Sequence, residues 1–303
     1  MPGVRQVLCP LDLSEASDHA VEHAVALAGW YGARLVALHV LTPVTIPLMA
    51  GAAPAYAGQV RLDEAERRQL RTMVASRFAA SPGVSVETVI EEGFPVQVIL
   101  ERARDADTIV MGTHGAGGFE HLLLGSVTEK VLRKATCPVL TVPPRAHVTS
   151  RLPYKHVLCA VDFSDSSLAG LERAMEIARE ADADLTLVHV VEWPWEEPPA
   201  PPFDELPPQQ ATSLRQFRQH REEVAHTRLQ GLVPADARMW CSPSLRVTHG
   251  KPWIELLRIA EDVPTDLIVV GIHGRRAMDL AVFGSTTNQI VRRARCPVLT
   301  IRT

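Results

Sequence analysis

Two kinds of apolar run alternate along this chain. Some are short and apolar nearly throughout, such as Val4–Leu11, Arg34–Leu41 and Thr108–Met111. A strand with one wet face alternates apolar and polar residues, so continuous runs of this length fit strands covered on both faces. The intervening segments carry helical stripes. Ala20, Val21, Ala24, Val25 and Ala28 recur at i, i+1, i+4 spacing after Ser14, whose hydroxyl is placed to cap the helix, and Gly32 stops it. Residues 42–60, rich in Pro, Ala and Gly, predict a loop, and Asp63 to Ala79 a charged second helix. Val84–Glu91 alternates and predicts the third strand. Pro95 can open the third helix, which buries Val98, Ile99 and Leu100. A last helix with Val127, Val131, Leu132 and Ala135 inside leads to a fifth strand, Val139–Val142.

The pattern then starts again. Val7–Ser14, ending in Asp12-Leu-Ser, matches Val157–Ser164, ending in Asp162-Phe-Ser, 150 residues later. Leu35–Val40 matches Leu185–Val190 at the same spacing, Gly93-Phe-Pro matches Gly250-Lys-Pro at 157, and Cys137-Pro-Val-Leu-Thr matches Cys296-Pro-Val-Leu-Thr at 159. The spacing only grows, so the second copy carries small insertions. Periods this long mean two homologous domains and not solenoid units. Strands alternating with helices predict an α/β fold with a parallel sheet in each copy. The expected domains are 1–142 and 156–303, with 143–155 as linker. In the second copy the stretch from Trp193 to Gln210 is proline-rich and acidic, either a stiff surface connection or a lid.

Composition narrows the function. The 303 residues carry a net charge of −4, with no basic footprint for nucleic acid. No apolar run approaches the roughly 18–20 residues that cross a membrane, and the N-terminus lacks a signal-peptide core, so the expected location is the cytoplasm. Five cysteines without a close pair (Cys9, Cys137, Cys159, Cys241 and Cys296) read as buried reduced thiols. His19-Ala-Val-Glu22-His23 matches a zinc-binding pattern, but the repeat has Ala169 and Arg173 at the histidine positions. The motif is also expected on a solvated helix flank, so no metal site is assigned.

The chemistry concentrates in one motif that occurs twice: Gly112-x2-Gly115-x9-Gly125-Ser126 and Gly271-x2-Gly274-x9-Gly284-Ser285. Each copy follows a β-branched run, Asp107–Met111 or Asp266–Val270, and precedes an amphipathic helix. A strand, a glycine loop and a helix N-terminus together suit phosphate. The first helical N–H groups lack intrahelical partners, the dipole favours an anion, and glycine lets backbone approach the ligand. There is no Walker lysine motif, no complete dinucleotide fingerprint and no nucleophile elbow.

These motifs, with the Asp-ended first strands and the Cys-Pro-Val fifth strands, resemble the universal stress protein family over essentially the whole chain. The resemblance implies two Rossmann-like domains, each a five-stranded parallel sheet in order 3-2-1-4-5 with helices on both faces. Complete glycine motifs imply the ATP-binding branch, with Mg²⁺ carried in on the phosphates. Carried over, Pro10, Leu11 and Asp12 with Val40 would hold the base at site one, and Ala160, Val161 and Asp162 with Val190 at site two. Met111, Gly112, His114, Gly115, Gly125, Ser126, Val127 and Thr128 would approach ribose and phosphates at site one. Val270, Gly271, His273, Gly274, Arg275, Gly284, Ser285, Thr286 and Thr287 would do so at site two. Thr128 and Thr287 are expected to add hydroxyl donors. Each Asp could instead be the Asx-turn residue that ends a strand. His114 and His273 either touch the ligand or cap their turn, and His39 and His189 read as satisfied core histidines.

The copies differ: Ala116-Gly117-Gly118 follows the second glycine of site one, and Arg275-Arg276 that of site two, so at least equal affinity is expected at site two. No catalytic base or metal-holding carboxylate stands near the glycine loops, which favours binding over ATP hydrolysis or phosphotransfer. Hydrolysis and an apo scaffold role stay open as alternatives. In the family, dimers pair through strand five, which implies an intramolecular pseudo-dimer of the two domains and leaves a homodimer of chains open.

Overall fold

The computed structural model describes residues 3–42, 62–79, 83–114, 124–144, 152–192, 208–235, 237, 241, 243–273 and 283–302. The expected loop over 43–60, most of the linker, Gly115, Gly274, Arg275 and both contrasting loop sequences lie outside the described residues, as does the proline-rich stretch through 207. The chain divides into two compact units between Leu152 and Pro153.

In unit one the elements are β1 (Gln6–Pro10), α1 (Asp18–Tyr31), β2 (Arg34–Leu41), α2 (Glu64–Arg77), β3 (Val86–Glu92), α3 (Pro95–Arg102), β4 (Thr108–Gly112), α4 (Ser126–Lys134) and β5 (Val139–Val142). Pairing is parallel throughout, β2 to β3, β1 to β2, β1 to β4 and β4 to β5. β1 and β4 are therefore neighbours although three helices and two strands separate them in sequence. Leu35, Val36, Ala37 and Leu38 are all buried. Consecutive strand residues face opposite ways, so both sheet faces are covered by helices.

Unit two repeats the plan: β6 (His156–Ala160), α5 (Asp165–Ala181), β7 (Asp184–Val191), α6 (Pro208–Gly231), β8 (Ser244–His249), α7 (Pro252–Asp262), β9 (Leu267–Gly271), α8 (Ser285–Arg293) and β10 (Val298–Ile301). Its strands pair in parallel, β7 to β8, β6 to β7, β6 to β9 and β9 to β10. The proline-rich loop ends before its expected limit at Gln210, because Pro208 already opens α6, the position where proline costs a helix nothing.

Local chemistry explains the helix boundaries. Gly32 ends α1 at φ 62°, a left-handed cap, and Asp182 takes the same role for α5 at φ 49°. Asp63 and Glu66 form a reciprocal capping box at α2, at 2.8 and 2.7 Å. Gly93 precedes the α3 proline at φ 153°, where a Cβ would lie 2.9 Å from Val98.

Two expectations are corrected here. His23 does not lie on a solvated flank: it is 1 % exposed and shares the inner face of α1 with Leu27, while Val25 is half-buried. Burial lowers the His23 pKa to about 4, since the charged ring would lose its hydration. The second correction concerns Ser14. Its hydroxyl makes no helix cap; it turns back to Asp12, and a 3₁₀ turn over Glu15–Ser17 stands between it and α1.

The aspartates that open the fourth strand of each unit hold the sheet together from outside the ladder. Asp107 accepts from the backbone N–H groups of Arg5 and Gln6 at 2.7 and 2.9 Å. Asp266, 7 % exposed, accepts from Lys155 and His156 at 2.8 and 2.9 Å. Each tethers the start of the first strand to the neighbouring fourth strand.

Candidate nucleotide site

The site is built where β1 and β4 diverge at their carboxyl ends, the point where the order of strands reverses. β1 stops because of Asp12. Its Oδ1 accepts from the Ser14 N–H at 3.1 Å and the Ser14 hydroxyl at 2.6 Å, and Leu13 between them has φ 64°. This is an Asx turn, which leaves the exposed carboxylate at the mouth of the crevice. Asp12 thus forms the turn, one of the two readings its position allowed, and also lines the cleft. The β1 tail is fixed from β2 by His39, whose Nδ1 lies 2.9 Å from the Leu11 carbonyl. A carbonyl only accepts, so Nδ1 carries the proton.

A shallow cleft, partly open to solvent, occupies this position. Its lining includes Pro10, Leu11, Asp12, Val40, Met111, Gly112, His114, Val127 and Thr128, all named from the sequence. It also includes Ser17, Leu38, Pro95 and Ile99. Sequence reasoning assigned Ile99 to the core and Pro95 to a helix start. The signal available was topological: α3 begins at the same sheet end as the cleft. One end of the cleft is apolar (Pro10, Leu38, Val40), and the other presents glycine backbone and a helix N-terminus.

That helix N-terminus is open to an anion. Gly125 is the N-cap of α4, no side chain caps the helix, and the first intrahelical bond runs from Glu129 N to Gly125 O at 2.9 Å. The Gly125 N–H itself donates to Thr113 O at 2.8 Å, which pins the cap against the end of β4. Ser126 is exposed at the first helical position. Thr128 departs from expectation: buried, it donates its hydroxyl to Gly112 O at 2.8 Å, and Thr287 does the same to Gly271 O at 2.8 Å. Both hydroxyls tie the helix to the strand end and are not ligand donors, because a buried hydroxyl so close to a carbonyl would forfeit that bond to turn outward. His114 Nδ1 lies 2.9 Å from the Thr113 hydroxyl, the turn-capping alternative.

Unit two assembles the same parts with different contacts. Asp162 Oδ1 accepts from Ser164 N at 3.0 Å and Ser164 Oγ at 2.6 Å, and Phe163 has φ 66°. His189, buried, sits 2.6 Å from Val161 O. Gly284 caps α8 and donates to Ile272 O at 3.0 Å. Here the serine does cap its helix: Ser164 Oγ accepts from Ser167 N at 3.3 Å. The Phe163 ring packs on His189 at 4.6 Å between centroids, and the Arg228 guanidinium of α6 lies over Phe163 at 4.1 Å. Ala160 and Thr286 are half-buried, Val161, Val190 and Val270 buried, and Ser285 exposed. Behind the two crevices the thiols of Cys9 and Cys159 are pushed up to about 12 by burial, so neither is a nucleophile near neutral pH.

Two parallel α/β units, each with a glycine-led helix N-terminus at its switch point, define a tandem of Rossmann-like domains. A family model described as the universal stress protein family matches residues 3–143 and again 153–302, and the chain belongs to that family. A universal stress protein of Mycolicibacterium smegmatis is 29 % identical over 304 residues, 98 % of this chain and 96 % of that protein. One from Methanocaldococcus jannaschii is 36 % identical over 142 residues, 46 % of this chain and 81 % of the relative. Among solved structures, a universal stress protein from Archaeoglobus fulgidus shares the fold with a TM-score of 0.62 at 21 % identity, over 99 % of this chain and 98 % of that one. Among the described residues, no helix is long and apolar enough to cross a membrane.

Proposed function

We propose that this chain binds ATP at the switch-point crevices of its two domains, 1–142 and 156–303, and acts as a nucleotide-responsive regulator in a stress response. The observation that carries this reading is the cleft of unit one. Its apolar end, closed by Pro10, Leu38 and Val40, suits a purine. Its other end offers Gly112 and the uncapped N-terminus of α4, which suit phosphate. Apolar walls beside a glycine and a helix N-terminus match the two halves of the ligand in polarity. Bound ATP would bring Mg²⁺ with its phosphates and supply negative charge to the α4 dipole. The chain would contribute binding and orientation: Asp12 at the mouth, Gly112 for close approach, Val127 beside the helix start.

Binding without turnover is favoured over hydrolysis. Asp12 is the one carboxylate lining the cleft among the described residues, and one of its oxygens is engaged by Ser14. Phosphoryl transfer needs a carboxylate free to hold metal or to position a nucleophile. Mass analysis of nucleotide released by denaturing purified protein, with calorimetry against ATP, tests the reading. Co-purifying or titratable ATP is the expected result. An empty protein that gives no heat with ATP would overturn it in favour of the apo scaffold. A single-turnover assay showing hydrolysis at ordinary enzyme rates would replace binding with catalysis.

A further inference from the structure

The two crevices are related by the repeat but are not in the same state. In unit one, Ala16 stands in the first turn after the Asx turn and carries no hydroxyl. A Cβ built on Gly112 would lie 3.2 Å from His114 O and 3.3 Å from Ala16 O. In unit two the matching residue is Ser166, and it spans the gap. Its hydroxyl donates to His273 O at 2.5 Å, while the Ser164 hydroxyl, whose single proton goes to Asp162 Oδ1 at 2.6 Å, lies 3.2 Å from the same oxygen. A Cβ on Gly271 would fall 2.6 Å from Ser166 Oγ and 2.7 Å from Ser167 N. The start of α5 is thus drawn against the end of β9, across the line that the unit-one cleft follows between Ser17 and His114.

Other neighbours agree. Asp12 is exposed but Asp162 half-buried, Val40 half-buried but Val190 buried, and Ala16 half-buried but Ser166 buried. Ala160 and Gly271 run the other way, each half-buried where its unit-one counterpart is buried. For Ala160 that follows from a side chain smaller than Pro10.

We propose that Ser166 is a latch: it holds the unit-two crevice closed, so unit one is the high-affinity nucleotide site and unit two fills only when the Ser166 bond to His273 O is broken. This rests on the ATP-binding reading above and opposes the order of affinity expected from Arg275-Arg276. One neutral hydrogen bond corresponds to about a fivefold change in an equilibrium constant, so the need to break it makes unit two about fivefold weaker than unit one.

Equilibrium titration of the full chain with radiolabelled ATP and Mg²⁺ reads this directly. The expected result is one tight and one weak molar equivalent. Val127→Trp, which fills the unit-one cleft, should remove the tight class, and Thr286→Trp only the weak one. Ser166→Ala should strengthen the weak class about fivefold or more and leave the tight class unchanged. Two equal classes, loss of the tight class in Thr286→Trp, or an unmoved weak class in Ser166→Ala would each overturn the latch while leaving ATP binding intact. The two tryptophan variants decide the order of sites even where Ser166→Ala proves unstable. Failure of the unmodified chain to bind any ATP would overturn the ATP reading itself and the latch with it.

Discussion

Adding one methyl group should destabilise the protein at Gly271 and leave it unchanged at Gly112, although the repeat makes the two positions equivalent. Neither glycine has a left-handed φ, so alanine is conformationally allowed at both and the difference is steric. At Gly271 the new Cβ would meet Ser166 Oγ, Ser167 N and Ser166 C at 2.6, 2.7 and 2.8 Å. Two of those atoms are backbone in the first turn of a capped helix and cannot rotate away. Overpacking of this kind costs about 1–3 kcal/mol. Restricting the unfolded chain returns about 0.4–1 kcal/mol. The net for Gly271→Ala is therefore a loss of about 1–2 kcal/mol. At Gly112 the closest atoms lie at 3.2 and 3.3 Å, so a shift of a few tenths of an ångström accommodates the methyl, and the entropy gain leaves the net near zero. A chain of two units need not unfold in one step, so native-state hydrogen exchange is the suitable assay. Amides of α5 and β9 should exchange about tenfold faster in Gly271→Ala, the equivalent of about 1.4 kcal/mol. Amides of α1 and β4 should be unchanged in Gly112→Ala. Equal effects, or a larger one at Gly112, would refute the claim that α5 packs more tightly on its strand than α1 does.

Two further results are expected. Asp266→Ala should destabilise unit two by about 2–4 kcal/mol, because it removes two charge-assisted bonds and leaves the N–H groups of Lys155 and His156 without their carboxylate; native-state hydrogen exchange of the β6 and β9 amides measures it, and a loss under about 0.5 kcal/mol would refute the tether. His23 sets a pH dependence: its folded pKa, about 4, lies below the unfolded value of 6.5, so the unfolded chain binds the proton first, and stability present above pH 6.5 is lost as pH falls toward 4. Between pH 7.5 and 5 its share is about 2 kcal/mol, and a His23→Gln chain should lose correspondingly less over that interval, read from exchange of the α1 amides corrected for the intrinsic rate at each pH.

The sequence carried the fold well because its signals are local and repeated. Continuous apolar runs placed the strands, Gly32 and Pro95 placed helix ends, and the doubled glycine motif located both switch points. Nine of the residues that line the unit-one cleft could be named in advance: the glycine motif and helix start are readable from neighbouring residues, whereas Pro10, Leu11, Asp12 and Val40 came from the family resemblance. What failed depended on distance across the chain. Ser14 and Ser164 are the same residue after the same aspartate, yet only Ser164 caps its helix. The difference lies two positions on: the Ser166 hydroxyl bonds to His273 O beside the capped start of α5, whereas Ala16 has no hydroxyl and lies in a 3₁₀ turn. His23 was misplaced because an i, i+4 histidine pair looks alike on either face of α1, and only packing distinguishes them. Thr128 reads as a ligand donor from its place at the helix start, but its hydroxyl is bonded sixteen residues back, to Gly112 O.

The duplicated motif therefore says more about where a ligand can lie than about whether it will. Both copies keep the glycines, the aspartate and the helix N-terminus, so motif matching scores them as equals. The discriminating residue, Ser166 against Ala16, lies outside the motif, on the facing helix. It acts on a backbone carbonyl more than a hundred residues away. In a tandem protein, the two halves can diverge in affinity while every motif residue stays in place, because closing a crevice needs only one new hydroxyl on the wall opposite the glycines.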